Sequence, residues 1–264
     1  MKLAHLLPRV CDLARQAGCA ILGHYRTVTA VRRKADDSPI TAADREAHDI
    51  ICAGLAGLTR DIPVLSEESD AIDPAARRRW ERFWLVDPLD GTKEFIKETD
   101  EFTVNIALVQ GDAPCLGVLY APARDDLYFA TAGAAAAYRA LQGGAPQPIR
   151  SRRPATPPLT VVASRSHAGA AVQSVLDRLP GARTITMGSA LKIGLIAAGE
   201  ADLYPRLGPT MEWDTAAAQC IVQAAGGAVL DLQGRPLRYN KADLHNPRFV
   251  CVGDPDLDWK AFLS

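Results

Sequence analysis

Trp84-Leu85-Val86-Asp87-Pro88-Leu89-Asp90-Gly91-Thr92 is an apolar run that ends in two carboxylates three residues apart, with Pro88 and Gly91 placed to bend the chain between and after them. A strand that stops in such a bend can turn both acids and the Leu89 carbonyl toward one point. Upstream, Val64-Leu65-Ser66-Glu67-Glu68 repeats the theme of an apolar strand ending in acid. Downstream, Phe102, Val104, Ile106 and Leu108 alternate along 102–109, the period of a strand. Gly111-Asp112, the stretch from Pro122 to Asp126 and Ala132-Gly133 then separate three more extended runs, which predicts an antiparallel meander.

Two helices precede these strands. Leu3, Leu6, Leu7, Val10, Leu13, Ala14, Ala17 and Ile21 form one apolar stripe, and a second helix is expected from Thr41 with Ala47, Ile50, Ile51, Leu55 and Leu58 on its buried face. Thr41 and Asp44 read as a capping box with Asp in the Glu place, and Pro39 marks the entry. Gly54 lies on the buried face, at a cost of about 1 kcal/mol against Ala unless a neighbour needs the space.

The segment Gly143 to Pro158 carries five prolines, two glycines and no periodicity, so it reads as a surface connection. Beyond it strands alternate with helices: strand Leu159 to Ala163, an amphipathic segment with Ala171, Val172, Val175, Leu176 and Leu179, strand Thr184 to Met187, helix Ser189 to Ala198, and strand Ala201 to Tyr204. The expectation is an α+β chain, with an antiparallel sheet in an N-terminal subdomain (1–150) and mixed or parallel α/β layering in a C-terminal subdomain (151–264), together one compact unit.

At 264 residues and 48% hydrophobic, the chain can bury a large core. Its 30 basic and 31 acidic residues nearly cancel, leaving no basic field to hold a nucleic-acid polymer, so a bound nucleotide is expected to be small. No apolar run reaches membrane-spanning length, and Arg9, Asp12 and Arg15 interrupt the stretch a signal peptide would need. A cytoplasmic protein is expected; peripheral attachment to the inner membrane face and oligomeric state are left open. The six cysteines show no zinc-type spacing and read as buried thiols.

Glu212-Trp213-Asp214-Thr215 is expected to open a helix with Ala217, Cys220, Ile221 and Ala224 on its apolar face. Acids at strand ends often only cap helices and solubilise turns. If Glu67, Asp87, Asp90 and Asp214 converge, however, each like-charge pair about 4 Å apart costs on the order of 4 kcal/mol at an effective dielectric near 20, and the cluster needs cations. Hard oxygen donors without His or Cys select magnesium over zinc.

These three spaced motifs, with Lys34 to Asp44 (KADDSPITAAD), resemble the lithium-sensitive, metal-dependent phosphatases related to inositol monophosphatase. The resemblance covers nearly the whole chain. It implies a layered α/β/α/β/α sandwich and about two or three magnesium ions held by Glu67, Asp87, the Leu89 carbonyl, Asp90 and Asp214. It also implies that Asp44 and Thr92 polarise the attacking water, Thr92 passing a proton toward Asp44. Gly91-Thr92-Lys93-Glu94-Phe95, Ser164-Arg165-Ser166-His167 and Leu203 to Thr210 are similar to the bisphosphate-nucleotidase branch, in particular its bacterial sulfur-assimilation members. The implied reaction is hydrolysis of adenosine 3′,5′-bisphosphate to 5′-AMP and phosphate. Whether its sulfated relative is also a substrate is left open.

Several groups suit the remaining phosphate. Ser164 to His167 and Gly188-Ser189 each lie between a strand and a helix and are expected to offer free backbone N–H groups. Lys192 falls on the same helical face as Ser189, and Arg206 follows an apolar strand. The substrate set is therefore Glu67, Leu89, Asp90, Gly91, Thr92, Ser164, His167, Gly188, Ser189, Lys192, Arg206 and Asp214. The rival readings are the same chemistry on inositol 1-phosphate or fructose 1,6-bisphosphate, and a non-catalytic nucleotide sensor. A sensor would be expected to lack one of the acids, and all are present. Dinucleotide-binding, P-loop, serine-hydrolase and zinc-protease signatures are missing.

Overall fold

A computed structural model of the chain describes residues 3–27, 32–33, 39–70, 72–134, 136–165 and 170–263. His167, Ser166 and residues 34–38 of the first motif lie outside the described residues. Helix α1 (Leu3–His24) buries the stripe read from its sequence and packs on α2 (Ala42–Leu58). Between them the chain forms a short ladder, β1 (Arg32–Arg33) with β2 (Pro39–Ile40). Gly54 of α2 lies under Leu13 of α1: a Cβ there would come within 2.4 Å of Leu13 Cδ1, so any larger residue needs that leucine to shift.

Strand β3 (Val64–Ser66), helix α3 (Pro74–Arg77), strand β4 (Arg82–Asp90), helix α4 (Thr92–Ile96) and strands β5 (Thr103–Gln110), β6 (Ala113–Ala121), β7 (Asp126–Thr131), β8 (Ala137–Leu141) and β9 (Gln147–Ile149) follow. The seven strands form one sheet in chain order, antiparallel except that β3 runs parallel to β4. That parallel pair departs from the all-antiparallel expectation, and β9 corrects the reading of 143–158 as a bare connection. Its three residues, Pro148 among them, close the meander against β8 at the edge of the sheet, where a proline's missing N–H is tolerated.

The second sheet is mixed. Strands β10 (Thr160–Ser164), β11 (Arg183–Met187), β12 (Leu203–Arg206), β13 (Ala228–Asp231) and β14 (Phe249–Val252) lie in the order β11-β10-β12-β14-β13, parallel around β10 and antiparallel around β14. The helices of this half are α5 (Ala170–Asp177), α6 (Leu191–Ala197), α7 (Ala216–Ala224) and α8 (Lys260–Leu263). Two helix starts move relative to expectation. Ser189 is not helical but holds a left-handed φ of 47°, and Glu212–Asp214 form a tight 3-10 turn, with α7 beginning only at Ala216.

Both faces of β5 are buried, which explains its run of packed residues beyond the alternating set. Phe102, Val104, Ile106 and Leu108 pack toward α1 and α2, while Ala107 and Val109 face α6 and α7. The helix α7 is buried nearly all round because it fills the space between the two sheets. A third core lies on the far side of the second sheet, where Val175 and Leu179 cover Val161, Leu203 and Val250. The layers are α1 and α2, seven-stranded sheet, α6 and α7, five-stranded sheet, α5 and α8: the α/β/α/β/α sandwich. The central core draws on both halves of the chain. Of the cysteines, Cys11, Cys115, Cys220 and Cys251 are buried, whereas Cys19 is exposed and Cys52 half-buried. No described helix is long and apolar enough to cross a membrane.

Candidate active site

The ladder between β4 and β5 slips between Asp87 and Asp90, so the strand bends at Pro88-Leu89. Within the bend Leu89 N–H donates to Asp87 Oδ1 at 3.1 Å. The next residue, Gly91, has φ of 91°, a left-handed conformation that favours glycine, and a Cβ there would press on the Glu101 carbonyl at 3.2 Å. The turn delivers Thr92 to the start of α4. Its hydroxyl lies 3.2 Å from Asp44 Oδ1 and 3.3 Å from the Leu89 carbonyl.

Asp44 divides its labour between its oxygens. Oδ2 accepts from Thr41 N–H at 2.7 Å and from the Thr41 hydroxyl at 2.6 Å, capping α2, and Oδ1 faces Thr92. Burial raises the Asp44 carboxyl above its ordinary value, and the Thr41 hydrogen bonds only partly offset this.

Glu67 is brought beside this bend because the parallel β3 and β4 pairing continues one step, Glu67 N–H donating to the Val86 carbonyl at 3.0 Å. The 3-10 turn that carries Asp214 packs against β4, and Asp214 Oδ2 accepts from Met211 N–H at 2.9 Å. The four acids feel one another. Asp87 is held well above the carboxylate range by burial first, then by the charges of Glu67, Asp90 and Asp214. Burial and then the Asp90 charge do the same to Asp214. Asp90 is raised by burial, with Lys192 pulling it down. Among the described residues no three His, Cys, Asp or Glu side chains already form a closed metal cage; the four acids are a coupled group rather than a finished shell.

A hard cation fits this donor set. Thr103 and Asn105 stand opposite Asp90 and Asp87 in the ladder, hence on the same face. Thr103 Oγ1 and Asn105 Oδ1 are buried without a protein partner, two further oxygens beside the acids.

A cleft of about 390 Å³ opens over the cluster. Glu67, Asp90, Gly91, Thr92, Ser164, Ser189, Lys192, Arg206 and Asp214 all line it, while Asp44 reaches it through Thr92. Lys192 is buried, its ammonium 5.4 Å from the Tyr204 ring centroid and bonded to the Ser189 carbonyl. Burial brings its pKa down to about 8 against the pull of Asp90. Arg206 donates from Nη2 to the Pro209 carbonyl at 2.6 Å, and its Nε is buried without a protein partner.

One expectation needs correction. The N–H groups at the Gly188-Ser189 turn are not all free: Gly188 N–H donates to Glu101 Oε2 at 2.8 Å and Ala190 N–H to Asp90 Oδ2 at 2.6 Å. The chain's own carboxylates reached these donors first. Sequence reading missed Thr103, Asn105, Tyr204 and His245, which border the acids or the cleft. The signal for the first two was polarity inside an otherwise apolar strand.

The chain matches the model of the inositol monophosphatase family over residues 2–258. It is 49% identical over 247 residues to the 3′(2′),5′-bisphosphate nucleotidase CysQ of Escherichia coli K12, covering 92% of this chain and 98% of that one. It is 36% identical over 262 residues to the enzyme of the same name from Haemophilus influenzae, covering 98% and 97% of the two chains. Among solved structures, CysQ from Bacteroides thetaiotaomicron, described as a bacterial member of the inositol monophosphatase family, superposes with a TM-score of 0.83 at 42% identity, covering 94% of this chain and 97% of that one. An IMPase of Thermotoga maritima reaches a TM-score of 0.81 at 24% identity, covering 98% and 96%, and shares the fold. With motif order, layered architecture and full-length matches in agreement, the chain belongs to the inositol monophosphatase family.

Proposed function

We propose that this chain is a magnesium-dependent 3′(2′),5′-bisphosphate nucleotidase that hydrolyses the 3′-phosphate of adenosine 3′,5′-bisphosphate and releases 5′-AMP and phosphate. The observation that carries the reading is one cleft that joins a coupled acid cluster and a Thr92–Asp44 hydroxyl–carboxylate contact to two buried basic side chains, Lys192 and Arg206. The half-identical curated relatives carry the name 3′(2′),5′-bisphosphate nucleotidase, which supports a bisphosphorylated nucleotide as substrate.

Glu67, Asp87, the Leu89 carbonyl, Asp90 and Asp214 would hold the magnesium. When bound, the metal supplies Lewis-acid neutralisation of the phosphoryl oxygens and a more acidic water. Thr92 would accept a proton from the attacking water at Oγ1 while donating its own to Asp44 Oδ1, 3.2 Å away. Burial raises the Asp44 carboxyl above its ordinary value, which makes the carboxylate a stronger acceptor for that proton. On the opposite wall Lys192 and the unpartnered Nε of Arg206 would bind the substrate's second phosphate, with Ser164 and Ser189 beside them. An inositol monophosphate offers no second anion to these cations.

The test is phosphate release from adenosine 3′,5′-bisphosphate, its sulfated relative, inositol 1-phosphate and fructose 1,6-bisphosphate, with magnesium and after exhaustive chelation. The expected result is magnesium-dependent, lithium-inhibited release with the highest kcat/KM on the nucleotide. Equal kcat/KM on inositol 1-phosphate would reject the substrate, and full activity after chelation would reject the metal.

A further inference from the structure

Glu101 stands outside the acid cluster and yet joins the two halves of the cleft. The residue is only 4% exposed. It accepts two hydrogen bonds from Arg165, Nε and Nη2 each at 2.7 Å, and a third from Gly188 N–H at 2.8 Å; Arg124 lies 3.6 Å away. Glu101 precedes β5 of the first sheet, while Arg165 and Gly188 are the residues that leave β10 and β11 of the second. The same exits carry Ser164 and Ser189 into the cleft. Gly188 packs closely on Glu101, and a Cβ there would lie 2.6 Å from Glu94 Cγ and 2.8 Å from the Glu101 carbonyl. Arg165 N–H also donates to the Met187 carbonyl at 3.2 Å, tying the two exits to each other.

We infer that Glu101 is a positioning residue for substrate: its buried carboxylate, gripped by the Arg165 fork and the Gly188 N–H, sets the two turns that present Ser164 and Ser189. A bidentate arginine–carboxylate pair fixes orientation as well as distance, and a third donor on the same carboxylate removes the remaining freedom. A buried carboxylate cannot give up these partners cheaply, so the turns stay where it holds them. The inference rests on the nucleotide reading above. It differs from a cross-brace, which would lower stability when cut and leave substrate affinity alone.

The experiment compares the wild-type protein with Glu101→Gln, Arg165→Met and the double variant. It measures KM and kcat on adenosine 3′,5′-bisphosphate with magnesium, 5′-AMP binding to the metal-free protein by calorimetry, and thermal midpoint. Glu101→Gln is expected to raise KM and the Kd for 5′-AMP about tenfold, the scale of a lost charged hydrogen bond, with kcat within about threefold. Arg165→Met should move both constants in the same direction by less, and the double variant should be no worse than Glu101→Gln, because both changes act through one contact. Lowered thermal midpoints with wild-type KM and Kd would overturn the inference. If Glu101→Gln does not fold, an unchanged KM in folded Arg165→Met overturns it equally. A wild-type protein that neither hydrolyses nor binds the nucleotide overturns the substrate reading and this inference with it.

Discussion

The acidic wall of the cleft centres on one bend but recruits acids from three other parts of the chain, whereas the basic wall comes from the single stretch 192–206 and is held by near neighbours in sequence. Asp87, the Leu89 carbonyl, Asp90 and Thr92 come from one bend at the end of β4, and Asp44, Glu67 and Asp214 are brought in from elsewhere. Lys192 and Arg206 come from α6 and the end of β12, and their partners are the Ser189 and Pro209 carbonyls and the Tyr204 ring. The difference shows in how each wall is held. The acids raise one another's pKa, while the basic groups are fixed by backbone carbonyls and line the same cleft.

If the acidic wall is the metal site, damage there should be the most severe. Asp90→Asn removes a charge from the cluster and should lower kcat by about 10⁴-fold or more, with weaker magnesium binding measured directly, since metal charge stabilisation is worth several kcal/mol. Retained turnover would move the metal elsewhere. Thr92→Ala should fall next, by about 10²-fold in kcat with magnesium affinity unchanged, the lower end of general-base assistance. A kcat within about twofold of wild type would remove Thr92 from the relay.

The basic wall predicts a different signature. Lys192→Met keeps the packing against Tyr204 but loses the charge, and should raise KM for adenosine 3′,5′-bisphosphate about tenfold or more with a smaller effect on kcat. Its pH dependence has a definite sign. Because burial brings Lys192 down to about 8, the cation is present below that pH and lost above it, so kcat/KM for the bisphosphate should fall as pH rises through about 8. The Lys192→Met enzyme should lack that limb. A wild-type profile in the variant would assign the limb to another group.

The same contrast explains what could be read from the chain. The succession of two helices, an antiparallel meander and alternating strands and helices was legible because apolar periods switch along the chain, whereas the five-layer order was expected only through family resemblance. Asp87 and Asp90 were legible because bend residues sit beside them in sequence. The Thr92–Asp44 contact was expected only through family resemblance, as a spacing of 48 residues carries no local signal. Gly188 shows where local reading fails: a strand-to-helix turn offers free N–H groups in isolation, but Glu101, 87 residues away, takes the donor in the folded chain. Gln147–Ile149 was hidden by Pro148 within it and Pro146 before it, although an edge strand tolerates proline. Thr103 and Asn105 were masked by the apolar residues of opposite phase in a strand buried on both faces.

The claim that the four acids form one coupled, cation-requiring cluster is tested most directly by titrating magnesium into metal-free protein by calorimetry, in buffers of different ionisation enthalpy. The raised carboxyl groups of Asp87 and Asp214 favour the protonated form in the metal-free fold. Their contribution to stability is therefore present at low pH and lost as pH rises from about 4 through their raised values, opposite to that of an ordinary paired carboxylate. Magnesium must displace those protons to bind. The account predicts magnesium binding with proton release that grows as pH is lowered across the range in which the protein stays folded, together with a magnesium-induced rise in thermal midpoint that is largest at the alkaline end. Absence of magnesium binding, or binding with no proton release anywhere in that range, would contradict it.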